Sequence, residues 1–318
     1  MTKLKSQPEP RRPKPLIVPS RKEHTHTIIL LHDKGDKGRE FGRGFLKAMK
    51  LQDHVPTVRF VFPCAFNAPL PPSTSGGKTE AGPPKRRVSP TQWFDDPFHV
   101  REAANATASL PETAEFLQRL VHEEAKVLTQ TGRCGMHQAH KQIFIGGKGQ
   151  GGAAALLYLA GSHRRLGGFI GLDAALPWQY HMEIAAQLGA AEGSGGDDSV
   201  SRGVQCVRSL LGFKRLGEEE GRLADRLCQL ETPVCFVYEG SREKGRNLVS
   251  LFADGFGMDI TKWWCENGAK ECHALSDSME AVLGFLEKVG VPRMYPVGER
   301  EGLAKYSCVG KKDVQEMA

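Results

Sequence analysis

The stretch FIGGKGQGGAAALLYLA, residues 144–160, decides how the rest of the chain is read. It has the pattern of a short apolar strand, then glycines, then a helix of small and apolar residues. Gly147, Gly149 and Gly152 satisfy the G-x-G-x-x-G spacing of a dinucleotide-binding turn. In that reading the glycines let the backbone approach a pyrophosphate at a helix N-terminus. Asp173, about twenty residues further on, then reaches a ribose hydroxyl. The same place in an alternating strand–helix chain is also where a sharp turn displays a catalytic nucleophile. Residues 146–152 contain no Ser, Cys or Asp to serve as one. Position weighs against the cofactor, because two strands and a long helix precede a fingerprint that normally opens the first βαβ unit.

Outward from this turn the chain alternates. Residues 26–32, HTIILLH, and 57–63, TVRFVFP, are strand candidates apolar enough to be buried on both faces. A helix is expected from Ser109, which caps it, with Pro111 in its first turn and Glu112 and Glu115 at its positive end. LGGFIGLDAAL and TPVCFVYEG continue as strands, and MEAVLGFLEKVG closes as a helix. This rhythm argues for an α/β fold: a doubly wound, mostly parallel sheet with helices on both faces. The domain is expected over residues 23–290, with insertions at about 68–91 and a lid-like one at about 179–230. Residues 291–318 read as a tail.

The 318 residues carry a formal net charge of +6. Residues 1–22 hold Lys3, Lys5, Arg11, Arg12, Lys14, Arg21 and Lys22 against Glu9 and account for all of it. This Pro-rich leader reads as disordered, and as the place where a protein partner or a nuclear-import function would sit. The remainder is formally neutral and gives no case for nucleic-acid binding by the folded part. No apolar run is long enough for a bilayer span and no signal-peptide core is visible, so a cytoplasmic location is expected. Eight cysteines without a C-x-x-C pair read as free thiols. Cys134-x-x-His137-x-x-His140 has zinc-like spacing without a fourth ligand, and neither a metal nor a cofactor is expected.

Six segments in order carry a resemblance. They are HTIILLHDKGDKGREFG (26–42), FVFPCAFNAPLP (60–71), QWFD (92–95), GGKGQGGAAAL with LGGFIGLDAALPW (166–178), TPVCFVYEGSREKG (232–245) and CENGAKECHALSDSMEAVLGFL (265–286). Together they resemble the acyl-protein thioesterases of the phospholipase/carboxylesterase family, within the α/β-hydrolase superfamily, and fungal members most of all. The resemblance implies hydrolysis of acyl esters or thioesters and an acyl or lipid-like ligand. It places the nucleophile position at Gly149, the general base at His273 and the orienting acid at Glu243. The oxyanion-hole amides fall to Gln150 and Lys34.

The departures from the family pattern concentrate at that site. Gly149 has no side chain to acylate. Asp33 replaces the glycine after the loop histidine, bringing charge to the oxyanion position. Glu239 stands where the family has His. Lost or very weak serine-hydrolase activity is therefore expected, with a non-catalytic acyl-binding or interaction scaffold as the alternative. The dinucleotide reading through Gly147, Gly149, Gly152 and Asp173 stays open at this stage.

Overall fold

The computed structural model describes residues 12–65, 91–95, 109–130, 132, 134–189, 196–215, 227–239, 245–265 and 271–295. Side chains at 196–198 and 271–276 also lie outside the described set. Seven strands form one sheet: β1 (Leu16–Val18), β2 (His26–Leu31), β3 (Val58–Phe62), β4 (Ile143–Lys148), β5 (Gly168–Leu172), β6 (Val234–Glu239) and β7 (Ile260–Cys265). Their spatial order is β1-β3-β2-β4-β5-β6-β7. Every neighbouring pair is parallel except β1 with β3. The helices are α1 (Gly38–Met49), α2 (Leu51–His54), α3 (Leu110–Thr129), α4 (Met136–His140), α5 (Gly149–Gly161), α6 (Trp178–Gly189), α7 (Gly196–Leu210), α8 (Arg246–Ser250) and α9 (Glu271–Lys288).

Burial on both faces explains the strand sequences. In β2, Ile29 and Leu31 join the core cluster shared with α3, α5 and α7. Ile28 and Leu30 join the opposite cluster, with Phe45 and Met49 of α1 and Leu283 and Leu286 of α9. Period-2 alternation thus feeds two helical layers, which is why the run is apolar without interruption. Helix α5 is buried from Gly151 to Gly161, so small residues at its start let it lie close against the sheet. Ser109 caps α3 as expected, its side chain accepting from the Glu112 N–H.

Part of the stretch read as a leader belongs to the sheet. Between Pro15 and Pro19 the triplet Leu16–Val18 pairs antiparallel with β3 as an edge strand. Arg12 is held too, its guanidinium 4.2 Å from the Phe116 ring and bonded to Thr113 Oγ1 at 3.3 Å. A three-residue apolar run is too short to register as a strand, yet an available sheet edge is enough to order it. The start of the expected tail is likewise packed: Val291 is buried and Arg293 bonds both Glu280 oxygens at 2.9 and 3.0 Å. Within the stretch read as lid-like, α6 and α7 bury Ile184, Val204 and Val207 in the main core. The other insertion, about 68–91, lies outside the described residues apart from Thr91. No helix among the described residues is long and apolar enough to cross a membrane.

Candidate active site

Strand β4 ends at Lys148 and α5 begins at Gly149, so the chain turns at the carboxyl edge of the sheet. Gly149 has φ +50, the left-handed region where a side chain is strained. The space beside it is also taken, because a Cβ at this position would overlap the carboxylate of Asp33. Asp33 comes from the loop after β2, whose last residue Leu31 is registered against Gly147 of β4. Two residues from different segments therefore compete for one volume, and here the carboxylate fills it.

Asp33 Oδ1 accepts two backbone N–H groups, Lys34 at 2.7 Å and Gln150 at 2.9 Å. These are the two amides expected from sequence to hold an oxyanion, and in this structure they hold a side-chain carboxylate. The Gln150 amide belongs to the first turn of α5, where an anion is electrostatically favoured and the N–H has no intrahelical partner.

The loop that carries Asp33 is fixed from behind. His32 is fully buried; its Nε2 accepts from the Ala65 N–H at 3.0 Å. Nδ1 therefore carries the proton and donates to the Asp33 carbonyl at 2.7 Å. Burial holds this imidazole below its usual pKa, against the opposing pull of that hydrogen bond and of Asp36 and Asp33. Trp93, also fully buried, donates through Nε1 to the His32 carbonyl at 2.8 Å. The Gln150 side chain then ties the turn to the same segment. Its Oε1 accepts from the Trp93 N–H and its Nε2 donates to the Phe94 carbonyl, both at 2.9 Å. Thr113 of α3 closes the set by donating to the Trp93 carbonyl. The W-F-D stretch is thus a clamp across the turn and the Asp33 loop.

The structure accordingly brings Lys34, Gly149 and Gln150 together around Asp33. Glu243 lies outside the described residues. The backbone of His273 is in the first turn of α9, and its side chain lies outside the described set. Asp173, with φ +49, accepts from the Glu239 N–H through Oδ1 at 3.0 Å. Gly152 faces protein: a Cβ there would come 2.8 Å from both the Ala174 Cβ and the Gly147 carbonyl oxygen. Close packing of α5 therefore accounts for that glycine without a ligand. His140 donates through Nδ1 to the Met136 carbonyl (2.7 Å), and no metal-binding group of His, Cys, Asp or Glu occurs among the described residues. The six described cysteines are free.

Sequence reasoning missed that Asp33 takes up the space of a residue-149 side chain. The signal was present as two departures, Gly149 and Asp33, which look independent when they are 116 positions apart. It also missed the clamping role of Gln150, whose side chain only finds Trp93 and Phe94 in three dimensions.

Two cavities matter. One of about 280 Å³ borders the turn at the carboxyl ends of β4, β5 and β6. Phe41, Phe45, Leu172 and Val237 give it apolar walls, and Asp36, Glu40, Asp173 and Glu239 outweigh Lys148 at its polar side. A larger cleft, about 680 Å³, lies at the other end of α5 beside Ser162, Arg164 and Arg208. A thirteen-residue helix separates the two, which at ~1.5 Å per residue is about 20 Å. The larger cleft is therefore remote from the turn.

Residues 12–198, more than half of the chain, match the phospholipase/carboxylesterase family. An acyl-protein thioesterase 1 from Yarrowia lipolytica is 30% identical over 167 residues, which is 50% of this chain and 61% of that protein. An acyl-protein thioesterase 1 from Cryptococcus neoformans var. neoformans is 26% identical over 221 residues, 64% of this chain and 82% of that one. The matched part of this chain thus spans under two thirds of the Yarrowia protein's length. Among solved structures, acyl-protein thioesterase 2 from Zea mays is similar over 86% of this chain and 99% of its own, at 17% identity and a TM-score of 0.43. The family match runs from before β1 into α7 and so takes in the turn, the Asp33 loop and the clamp together: this chain belongs to the phospholipase/carboxylesterase family of the α/β-hydrolase fold.

Proposed function

We propose that this chain is an acyl-protein thioesterase-like member whose serine-hydrolase chemistry on acyl esters and thioesters is lost or very weak, with an acyl-binding groove retained at the carboxyl edge of the sheet. One observation carries the reading: the Asp33 carboxylate fills the place of a side chain at 149 and accepts both neighbouring amides. Serine catalysis needs a hydroxyl at the turn and free donors for the tetrahedral oxyanion. Gly149 is assigned the vacant nucleophile position, with Lys34 and Gln150 as the oxyanion amides, His273 as the base and Glu243 as its orienting acid. Fungal relatives named acyl-protein thioesterases support the substrate class.

Residual hydrolysis by a held water stays small in this reading, since family-type sites lacking a triad member keep only ~10³–10⁴-fold over water. The test is an assay of purified full-length protein with p-nitrophenyl esters and an acyl thioester. Wild type is expected near background, as is Gly149→Ser, whose hydroxyl would meet Asp33. Gly149→Ser combined with Asp33→Gly is expected to gain turnover that His273→Ala removes. Robust wild-type turnover abolished by His273→Ala would overturn the proposal.

A further inference from the structure

The cleft of about 680 Å³ at the C-terminal end of α5 takes no part in the site at the turn. Two of its lining side chains are nonetheless polar and almost wholly buried: Tyr158 of α5 is 5% exposed and His140 of α4 is 3% exposed. The Tyr158 hydroxyl has no hydrogen-bond partner among the described residues, and it is not sealed off from the surface, so it opens on the cleft. His140 Nδ1 donates to the Met136 carbonyl at 2.7 Å, which leaves Nε2 as an acceptor. That nitrogen also lacks a partner among the described residues and is also open to the cleft. Folded proteins satisfy their buried polar groups, so a donor and an acceptor left over in one cleft point to something bound there. We infer that this cleft is a binding site for a phosphate monoester carried on a small apolar body, separate from the hydrolase-like turn.

The charges around these two groups suit that ligand. Arg164 lies near enough to act electrostatically on both Tyr158 and His140. Burial raises the Tyr158 hydroxyl above its usual pKa, so it stays a donor, and holds His140 below its own, so it stays neutral. Arg164 and Lys214 both line the cleft, and neither has an ion-pair partner among the described residues. The two carboxylates of the cleft are answered by other cations: Glu115 pairs with Arg119 at 3.6 Å, and Glu112 lies beside Arg12. A phosphate monoester, with a second pKa of about 6, offers anionic oxygens to Arg164, Lys214 and the Tyr158 hydroxyl; its monoanion also offers a P–OH proton to His140 Nε2. A carboxylate has acceptors only and leaves that nitrogen unmatched. Phosphate alone is far smaller than the cleft, whose volume is that of a small-molecule site, roughly 300–1,000 Å³. Val121, Leu211 and Phe213, whose ring meets Tyr158 edge-on at 6.4 Å, supply apolar surface for the organic body.

The site stands whether or not the turn hydrolyses any ester. The test is isothermal titration calorimetry of the full-length protein with phenyl phosphate, with benzoate as the comparison. Saturable binding of phenyl phosphate is expected, with benzoate weaker by about tenfold. Tyr158→Phe should weaken phenyl phosphate by about fivefold, the size of one hydrogen bond. It should leave the melting temperature unchanged, because the hydroxyl it removes has no protein partner among the described residues. Arg164→Ala, at an exposed position, should weaken binding by about tenfold or more and still fold. Phosphatidylcholine vesicles holding phosphatidic acid present the same group as a lipid headgroup. Co-sedimentation that Arg164→Ala abolishes assigns a membrane source, and binding of phenyl phosphate without co-sedimentation assigns a free one. The inference is overturned if neither phenyl phosphate at millimolar concentration nor the vesicles bind, if benzoate binds equally well, or if both variants bind as the wild type does.

Discussion

The two ends of α5 are closed by opposite charges brought from other elements, and the two differ in how deeply they are buried. At the C-terminal end, Arg208 of α7 donates to the Gly161 carbonyl at 2.8 Å and to the Lys214 carbonyl at 2.7 Å. It is only 3% exposed, and its guanidinium stands near the Phe213 ring. At the N-terminal end, Asp33 answers the Gln150 amide with a carboxylate. Both placements complement the helix dipole. Arg208 is almost wholly buried although it borders the larger cleft, whereas Asp33 is partly exposed and its carboxylate fills the space beside Gly149. The same electrostatic device is therefore buried at one end and partly exposed at the other.

Breaking the buried end should have the larger effect. Arg208→Ala removes charge-assisted bonds and leaves buried carbonyls unpartnered, a loss of about 3 kcal/mol in urea or thermal unfolding. At the open end, Gly149→Ser should cost about 2 kcal/mol from left-handed strain and overlap with Asp33. Asp33→Gly in the same chain should return more than half of that loss. Additive effects in the double variant would show that the two positions are not coupled. Asp33→Ala by itself should cost only about 1 kcal/mol, the size of a helix N-terminal cap. A loss near that of Arg208→Ala would erase the asymmetry between the two ends.

The smallest effect is a slope with pH. Burial lowers His26 to about 4, and also lowers His24, His32 and His140 from 6.5. The unfolded chain then binds protons more readily than the folded one. Stability is fully present above the unfolded pKa of about 6.5 and falls as pH drops toward about 4. Melting temperature should decline from about pH 7 to about pH 5, and His26→Asn should flatten that decline. A flat profile in the wild type would contradict the buried, neutral state assigned to these imidazoles, including the His32 that positions Asp33.

Much of the architecture was legible because burial writes itself into local sequence. The runs at 26–31, 58–62 and 143–148 are apolar on both faces since helices cover both, and Ser109 before Pro111 marks the start of α3 without reference to anything distant. Strands β1 and β7 were not legible. Leu16–Val18 is three residues long, and in ITKWWC only Cys265 is fully buried, so neither shows a clear period. Each exists because a neighbouring strand offers an unpaired edge. The expectation of a wholly unstructured leader failed for that reason.

At the site, the sequence by itself determined the turn, the absence of a hydroxyl at Gly149 and the presence of an acid at Asp33, since these are matters of residue identity and local pattern. It could not determine that the two departures share one volume. That depends on the parallel pairing of β2 with β4, which sets Leu31 beside Gly147 and carries the following loop over the start of α5. Only the tertiary structure turned a glycine at the turn and a carboxylate in the loop after β2 into a single arrangement, because side-chain overlap and hydrogen bonding act through space, across strands far apart in the chain.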